Sequence, residues 1–366
     1  MIKEWLKQRL YKTVVWLSDK FASRPEKDRV FDGLTQLIQS IEEGKEKKGV
    51  IVPFEAMNGR FIVFSDQHKG AKNGADDFML CEPNYLAALD YYYQNNFSLL
   101  VLGDGEELWE NTLAAVLKHQ QPSFDRYKNF IAARRFYKTI GNHDLDWKND
   151  PITIAQIKKI FDSAITIYDG VLLQTTINDK PLSIFCTHGH QGDKASDGNW
   201  FSKFFVSKVW APVQALVKIN PNTPAYDSQL KTLHNRLMYE WSNGRQNTLL
   251  ITGHTHQPVF ASLTYIERLY RQLLQAQAAG DKNLIQGIEA EIQKRKFEYD
   301  HVSGDYLTMK PTYFNAGCCC FNDGDITGIE IEDGYLRLIK WAGNAGKPQR
   351  QVLEEETLLA LSEAIA

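Results

Sequence analysis

Leu99-Leu100-Val101-Leu102-Gly103-Asp104-Gly105-Glu106-Glu107 passes without a break from an apolar run into glycines and carboxylates. A short aliphatic run bounded by turn formers reads as a buried strand, and the carboxylates just beyond it are able to bind a metal. Four other segments repeat the order. Phe61-Ile62-Val63-Phe64 leads to Asp66-Gln67-His68, and Phe136-Tyr137-Lys138-Thr139-Ile140 to Gly141-Asn142-His143-Asp144. Leu182-Ser183-Ile184-Phe185-Cys186 leads to Thr187-His188-Gly189-His190, and Leu249-Leu250-Ile251 to Gly253-His254-Thr255-His256. Longer helical stretches separate these runs, which predicts an α/β core. Side chains converge where strands leave a sheet at their carboxyl ends, so five strand ends point to one site.

Six of the nine histidines fall in these segments: His68, His143, His188, His190, His254 and His256. With the aspartates they form an oxygen and nitrogen donor set suited to Mn²⁺, Fe or Zn²⁺. No cysteine stands among them, which argues against a structural zinc finger. Taken singly, each residue has an ordinary explanation: Asp66 or Asp104 as a cap or turn residue, Asn142 as a turn residue after Gly141. Those explanations weaken jointly, because all must hold at once in five segments.

In this order the five blocks, with the returning Asn315-Ala316-Gly317, resemble the calcineurin-like metallophosphoesterase superfamily over about residues 61–258. The resemblance implies a four-layer αββα sandwich carrying helical insertions and an N-terminal helical extension. It implies two divalent cations, Mn²⁺ first, with Fe or Zn²⁺ as alternatives. Asp66, His68 and His256 would hold one, Asn142, His188 and His254 the other, and Asp104 would bridge them. The implied reaction is hydrolysis of a phosphomonoester or phosphodiester by a hydroxide held between the metals. His143 would give a proton to the departing oxygen, and Asp144 would orient it. Glu107 fits the superfamily's Gly-Asp-x-x-Asp/Glu pattern and would brace a ligand, or else be a solvated carboxylate at a helix start. His190 would replace His188 as ligand or contact substrate; the motif position favours His188.

The same stretch continued to Trp109 resembles one branch, the UDP-2,3-diacylglucosamine pyrophosphohydrolases. There the aromatic insertion at about residues 192–247, with Trp200, Phe204, Phe205 and Trp210, would cap acyl chains. Histidine at 143, where that branch typically carries arginine, departs from it. A nucleotide-lipid pyrophosphatase is therefore the alternative reading, and a non-catalytic scaffold of the same fold a second alternative.

Outside the core, residues 1–50 read as an N-terminal helical extension preceding a metallophosphoesterase domain at 51–345. Trp5, Leu6, Leu10, Val14, Leu17 and Phe21 stand at helical spacing with Lys3, Lys7, Arg9 and Lys12 between them. That amphipathic helix either packs on the domain or touches a membrane through residues 1–21. A second helix is expected over about 28–43. Residues 263–299 read as a helical hairpin turning at Gly280-Asp281, a packing or self-association arm. Strands are expected at 312–317, 326–331 and 335–341, and the tail at 346–366 is expected to form a short helix from about Glu354.

Cys318-Cys319-Cys320 read as small apolar strand residues, because neighbours on a strand point to opposite faces; a soft-metal thiolate site is the alternative. The 366 residues carry a formal net charge of −3, so any anionic substrate needs a local site. No basic stripe with interleaved aromatics predicts nucleic acid as partner. The expected partner is a phosphate-ester small molecule or a nucleotide-lipid. With charges threaded through Met1 to Lys7, the expected location is cytoplasmic, or peripheral at the inner membrane face.

Overall fold

Two seven-stranded sheets are built from β1 (Gly49–Pro53), β2 (Phe61–Phe64), β3 (Ser98–Leu102), β4 (Phe136–Thr139), β5 (Ile167–Tyr168), β6 (Gly170–Ile177), β7 (Lys180–Thr187), β8 (Thr248–Thr252), β9 (Val259–Phe260), β10 (Leu263–Thr264), β11 (Tyr313–Asn315), β12 (Ile326–Glu332), β13 (Tyr335–Asn344) and β14 (Lys347–Thr357). They belong to a computed structural model that describes residues 25–73, 76–192, 228–295, 308–344 and 347–366. One sheet runs β1-β6-β7-β8-β11-β9-β10, the other β14-β13-β12-β2-β3-β4-β5. The expected helix at 1–21, the aromatics Trp200, Phe204, Phe205 and Trp210, and the end of the hairpin lie outside the described residues.

Alternate residues of single strands serve different layers, as a period of two requires. Val63, Leu100 and Leu102 meet Val171, Leu173, Ile184, Leu249 and Ile251 between the sheets. Ile62, Phe64, Leu99 and Val101 face outward onto helices Glu82–Gln94, Gln121–Ala132 and Pro151–Phe161. Leu172, Phe185 and Leu250 face the other way, onto helices Lys27–Glu42 and Ser228–Asn243. The result is the four-layer α/β sandwich expected from the sequence. β2, β3 and β4 are parallel neighbours in one sheet, β7 and β8 in the other, so their carboxyl ends open at one edge of the sandwich.

The hairpin forms helices Tyr265–Ala279 and Lys282–Arg295, joined at Gly280, whose φ of 71° suits glycine. Leu269, Ala276, Ile288 and Ile292 give it a small core of its own. Two expectations need correction. The tail runs as β14 to Thr357, paired with β13, and its helix starts only at Leu358. Cys318, Cys319 and Cys320 are not strand residues: β11 stops at Asn315, and Gly317, at φ 74°, turns the chain into a loop. Among the described residues, no helix is long and apolar enough to cross a membrane.

Candidate metal centre

Asp66 and His68 follow β2, Asp104 follows β3, Asn142 and His143 follow β4, His188 follows β7, and His254 and His256 follow β8. Five of these sit in the left-handed region, with φ of 54° at Asp66, 48° at His68, 48° at Asp104, 69° at His254 and 56° at His256. Each such backbone costs a non-glycine residue roughly 1–2 kcal/mol. Strain of this kind concentrated in one place marks a functional site that the surrounding structure holds in shape.

The two aspartates are anchored alike. Asp66 Oδ2 accepts the His254 amide at 2.9 Å, and Asp104 Oδ1 accepts the His143 amide at 2.8 Å. Each carboxylate thereby spends one oxygen on the backbone and turns the other inward. Asp66 Oδ1 is 3.2 Å from His256 Nε2 and 3.8 Å from His68 Nε2. Asp104 Oδ2 is 3.1 Å from His188 Nε2 and 3.8 Å from His68 Nε2. Asn142 Oδ1 stands 3.2 Å from His188 Nε2. Donor atoms of Asp66, His68 and His256 form one compact group, and those of Asp104, His188 and His254 another.

Divalent metals fit these donors. Among the described residues, His254 Nε2 is buried without a hydrogen-bond partner, a costly arrangement unless a ligand completes it. His68 Nε2 and His256 Nε2 lie 3.1 Å apart, close to the spacing of about 3 Å expected of two imidazole nitrogens on one ion at 2.0–2.1 Å. The carboxylates also hold protons on the imidazoles. Burial works to lower the pKa of His188 and His256, yet Asp104 and Asp66 outweigh it at His188, and Asp66 outweighs it at His256, raising both to about 9. His68 is raised too, by Asp66 and Glu107 against burial. The set draws positive charge.

The outward nitrogens are held in turn, as metal-binding imidazoles require. His188 Nδ1 pairs with the Leu102 carbonyl at 3.0 Å, and His68 Nδ1 with Glu107 Oε2 at 2.9 Å. The same Glu107 oxygen is 2.7 Å from His143 Nδ1. Against burial, His143 and His68 hold the Glu107 carboxyl down to about 2. The Trp109 ring stacks on His143 with centroids 4.0 Å apart, and its Nε1 donates to the Asn142 carbonyl at 2.8 Å. Asn315 Nδ2 ties the last ligand loop by donating to the Gly253 carbonyl at 2.7 Å.

Asp144 does not take the place expected of it. It accepts from the amides of Gly141 at 2.6 Å and Gly105 at 3.0 Å and from Lys138 Nζ at 3.1 Å, so Glu107, not Asp144, faces His143. His190 stays buried beside His188, and burial together with His188 lowers its pKa to about 3.

Sequence reasoning missed two groups. Beneath the loops, Lys69, Glu106, Lys138 and Asp144 form a buried charge network: Lys69 Nζ is 3.3 Å from Glu106 Oε1, and Lys138 Nζ is 2.9 Å from Glu106 Oε2. A lysine inside the apolar run Phe136 to Ile140, with Lys69 directly after His68 and Glu106 two places after Asp104, was the available signal. The other is His234, buried 4.9 Å from the His254 ring and, among the described residues, without a partner at either nitrogen. It shares a helix face with Leu237, Met238 and Trp241, and a histidine in that stripe was its signal.

A family model described as calcineurin-like phosphoesterase matches residues 59–258 of the 366. A comparison with curated proteins gives no match. Among solved structures, Vacuolar Protein Sorting 29 from Cryptosporidium parvum is 12% identical, with 82% of this chain and 99% of that one covered at a TM-score of 0.33. Wild-type Vps29 complexed with Zn²⁺ from Entamoeba histolytica is 12% identical, covering 80% and 98% at 0.30. A dimetal phosphatase from Danio rerio is 7% identical, covering 81% and 99% at 0.30.

Proposed function

The chain belongs to the calcineurin-like phosphoesterase family, and from that premise we propose that it hydrolyses phosphomonoesters or phosphodiesters with two divalent cations. The observation that carries the reading is the inward pair Asp66 Oδ1 and Asp104 Oδ2, each within 4 Å of His68 Nε2 and flanked by further imidazoles. Asp66, His68 and His256 would hold one cation, Asn142, His188 and His254 the second, and Asp104 both. Mn²⁺ suits such mixed oxygen and nitrogen donors. When bound, the two cations supply Lewis acidity that neutralises phosphoryl oxygens and acidifies water.

The chain's own groups do the rest. His143 donates a proton to the departing ester oxygen. Glu107 sets its carboxylate 2.7 Å from Nδ1, which leaves Nε2 to face the substrate. Trp109 covers one face of the imidazole and so limits its rotation. Because that stack gives Trp109 a task without any acyl chain, simple esters come before a nucleotide-lipid as substrates.

The test is turnover of a chromogenic phosphomonoester and a phosphodiester by metal-stripped protein, with and without Mn²⁺, beside Asp104→Asn. Activity restored by Mn²⁺ in the wild type and lost in the variant is the expected result. Folded, Mn²⁺-loaded protein inert toward both esters would overturn it and favour the scaffold reading.

A further inference from the structure

The loop after β11 places a second set of donors against the back of one metal-binding imidazole. The Cys319 amide donates to the Asp66 carbonyl at 3.1 Å, and the Cys318 carbonyl accepts from the Thr327 amide at 3.1 Å. Pinned in this way, the three side chains divide. Cys319 turns into the core beside Cys81, Tyr85 and Ile326, whereas Cys318 and Cys320 turn to His256, their sulfurs and one ring nitrogen all lying within 4.8 Å of one another. The nitrogen near Cys320 Sγ, 3.6 Å away, is Nδ1. Nε2 of the same ring faces Asp66 and His68. His256 is therefore flanked by two donor sets of opposite chemistry, carboxylate and imidazole at Nε2, and thiols at Nδ1.

We propose that Cys318, Cys320 and His256 Nδ1 bind one thiophilic cation of the Zn²⁺ or Cd²⁺ class. Two sulfurs and an imidazole favour soft or borderline ions more strongly than the mixed carboxylate and imidazole centre does. The geometry suits a tetrahedral ion, since ligands at 2.3 Å for sulfur and 2.0–2.1 Å for nitrogen stand about 3.6 Å apart. Cys318 is buried and Cys320 half-buried, and a water would be the fourth ligand of a tetrahedral ion. Binding releases both thiol protons and the Nδ1 proton, and it leaves the His256 ring bridging this ion and the Asp66 side.

The test uses the reduced full-length chain, loaded with Mn²⁺ and titrated with Cd²⁺, read by thiolate-to-cadmium charge-transfer absorption. The aspartate and histidine centre contains no sulfur, so Cd²⁺ exchanging into it adds nothing to the band. A band that saturates at one Cd²⁺ per chain, survives in Cys81→Ser and Cys186→Ser, and disappears in Cys318→Ser and Cys320→Ser is expected. No band in protein that circular dichroism shows to be folded, or a band that persists in the Cys318→Ser, Cys320→Ser double variant, overturns the proposal. The wild type supplies a check that needs no variant: Zn²⁺ should protect Cys320 from alkylation, mapped by mass, and unchanged alkylation overturns the site. A negative result here leaves Mn²⁺-dependent ester turnover as a separate question.

Discussion

Glu107 Oε2 lies 2.7 Å from His143 Nδ1, so the carboxylate that orients the proposed proton donor comes from the β3 loop and not from the residue next to it in sequence. The same oxygen holds His68 at 2.9 Å, and a change at Glu107 should thus have two effects that saturation can separate. In Glu107→Gln, the Mn²⁺ needed for half activity is expected to rise by roughly 10–100-fold through His68. At saturating Mn²⁺, kcat should still be down about tenfold or more through His143, approaching the 10²–10⁴-fold loss of a removed general acid expected for His143→Ala. Full recovery of kcat at high Mn²⁺ would show that Glu107 serves only His68.

The network under the site predicts an acid-sensitive stability. Burial raises the Glu106 carboxyl, but Lys138 and Lys69 outweigh it and hold the group at about 2 instead of 4.5. A depressed folded value stabilises above the unfolded pKa and loses that contribution as pH falls toward the folded one. Glu106→Gln should therefore cost on the order of 3 kcal/mol at neutral pH, and the gap from wild type should close between pH 4.5 and about 2. Asp144, which burial and the Glu106 charge push upward against Lys138, works in the opposite sense, and Glu106→Gln relieves part of that shift, which narrows the gap. Urea melts of the two proteins across that range check it; a gap that stays constant with pH would mean the loss is one of packing.

The part of the fold that was legible lies where strands are buried on both faces. β2 and β8 are buried along their whole length, so their runs stand out, and the ligands come next because the chain must turn there. β14 offers no such contrast: every residue is exposed or intermediate, and Val352 and Leu353 are both more than 40% exposed. Periodicity cannot announce a strand without an apolar face. The cysteine loop was misread for the reverse reason, because three small residues after a strand look like its continuation, while Gly317 ends it. Partner choice was the least legible feature. Asp144 and Glu107 are both acidic and both near ligands, and only the folded loops show which one meets His143.

Metal removal should lower stability as well as activity. Five left-handed ligand backbones and His254 Nε2, unpartnered among the described residues, are costs that bound cations offset. Free Mn²⁺ at a hundred times its dissociation constant should stabilise the fold by about 2.7 kcal/mol per site. Thermal melts with chelator, then with rising Mn²⁺, should climb continuously, and Asp104→Asn should respond much less. A wild-type melting point indifferent to Mn²⁺ would count against a metal bound at these residues.

Gly141 sets the distance between the β4 loop and the carboxylate proposed to serve both cations. A methyl group there would stand 2.1 Å from Asp104 Oδ1 and 2.5 Å from the Asp104 amide nitrogen, so part of the obstruction is backbone and cannot swing aside. Asp104 Oδ1 is the oxygen tied to the His143 amide, which means that displacing it turns Oδ2 away from His188 and frees the loop carrying His143. Gly141→Ala should accordingly cost about 1–3 kcal/mol as overpacking and weaken Mn²⁺ by roughly 10–100-fold. Gly280→Ala, at a helix end with open space around it, should weaken Mn²⁺ not at all, although its φ of 71° makes it strained too. Comparing the two by Mn²⁺ titration of turnover separates a steric effect on the centre from general destabilisation. Equal Mn²⁺ affinity in both variants would mean that Asp104 does not hold the cations.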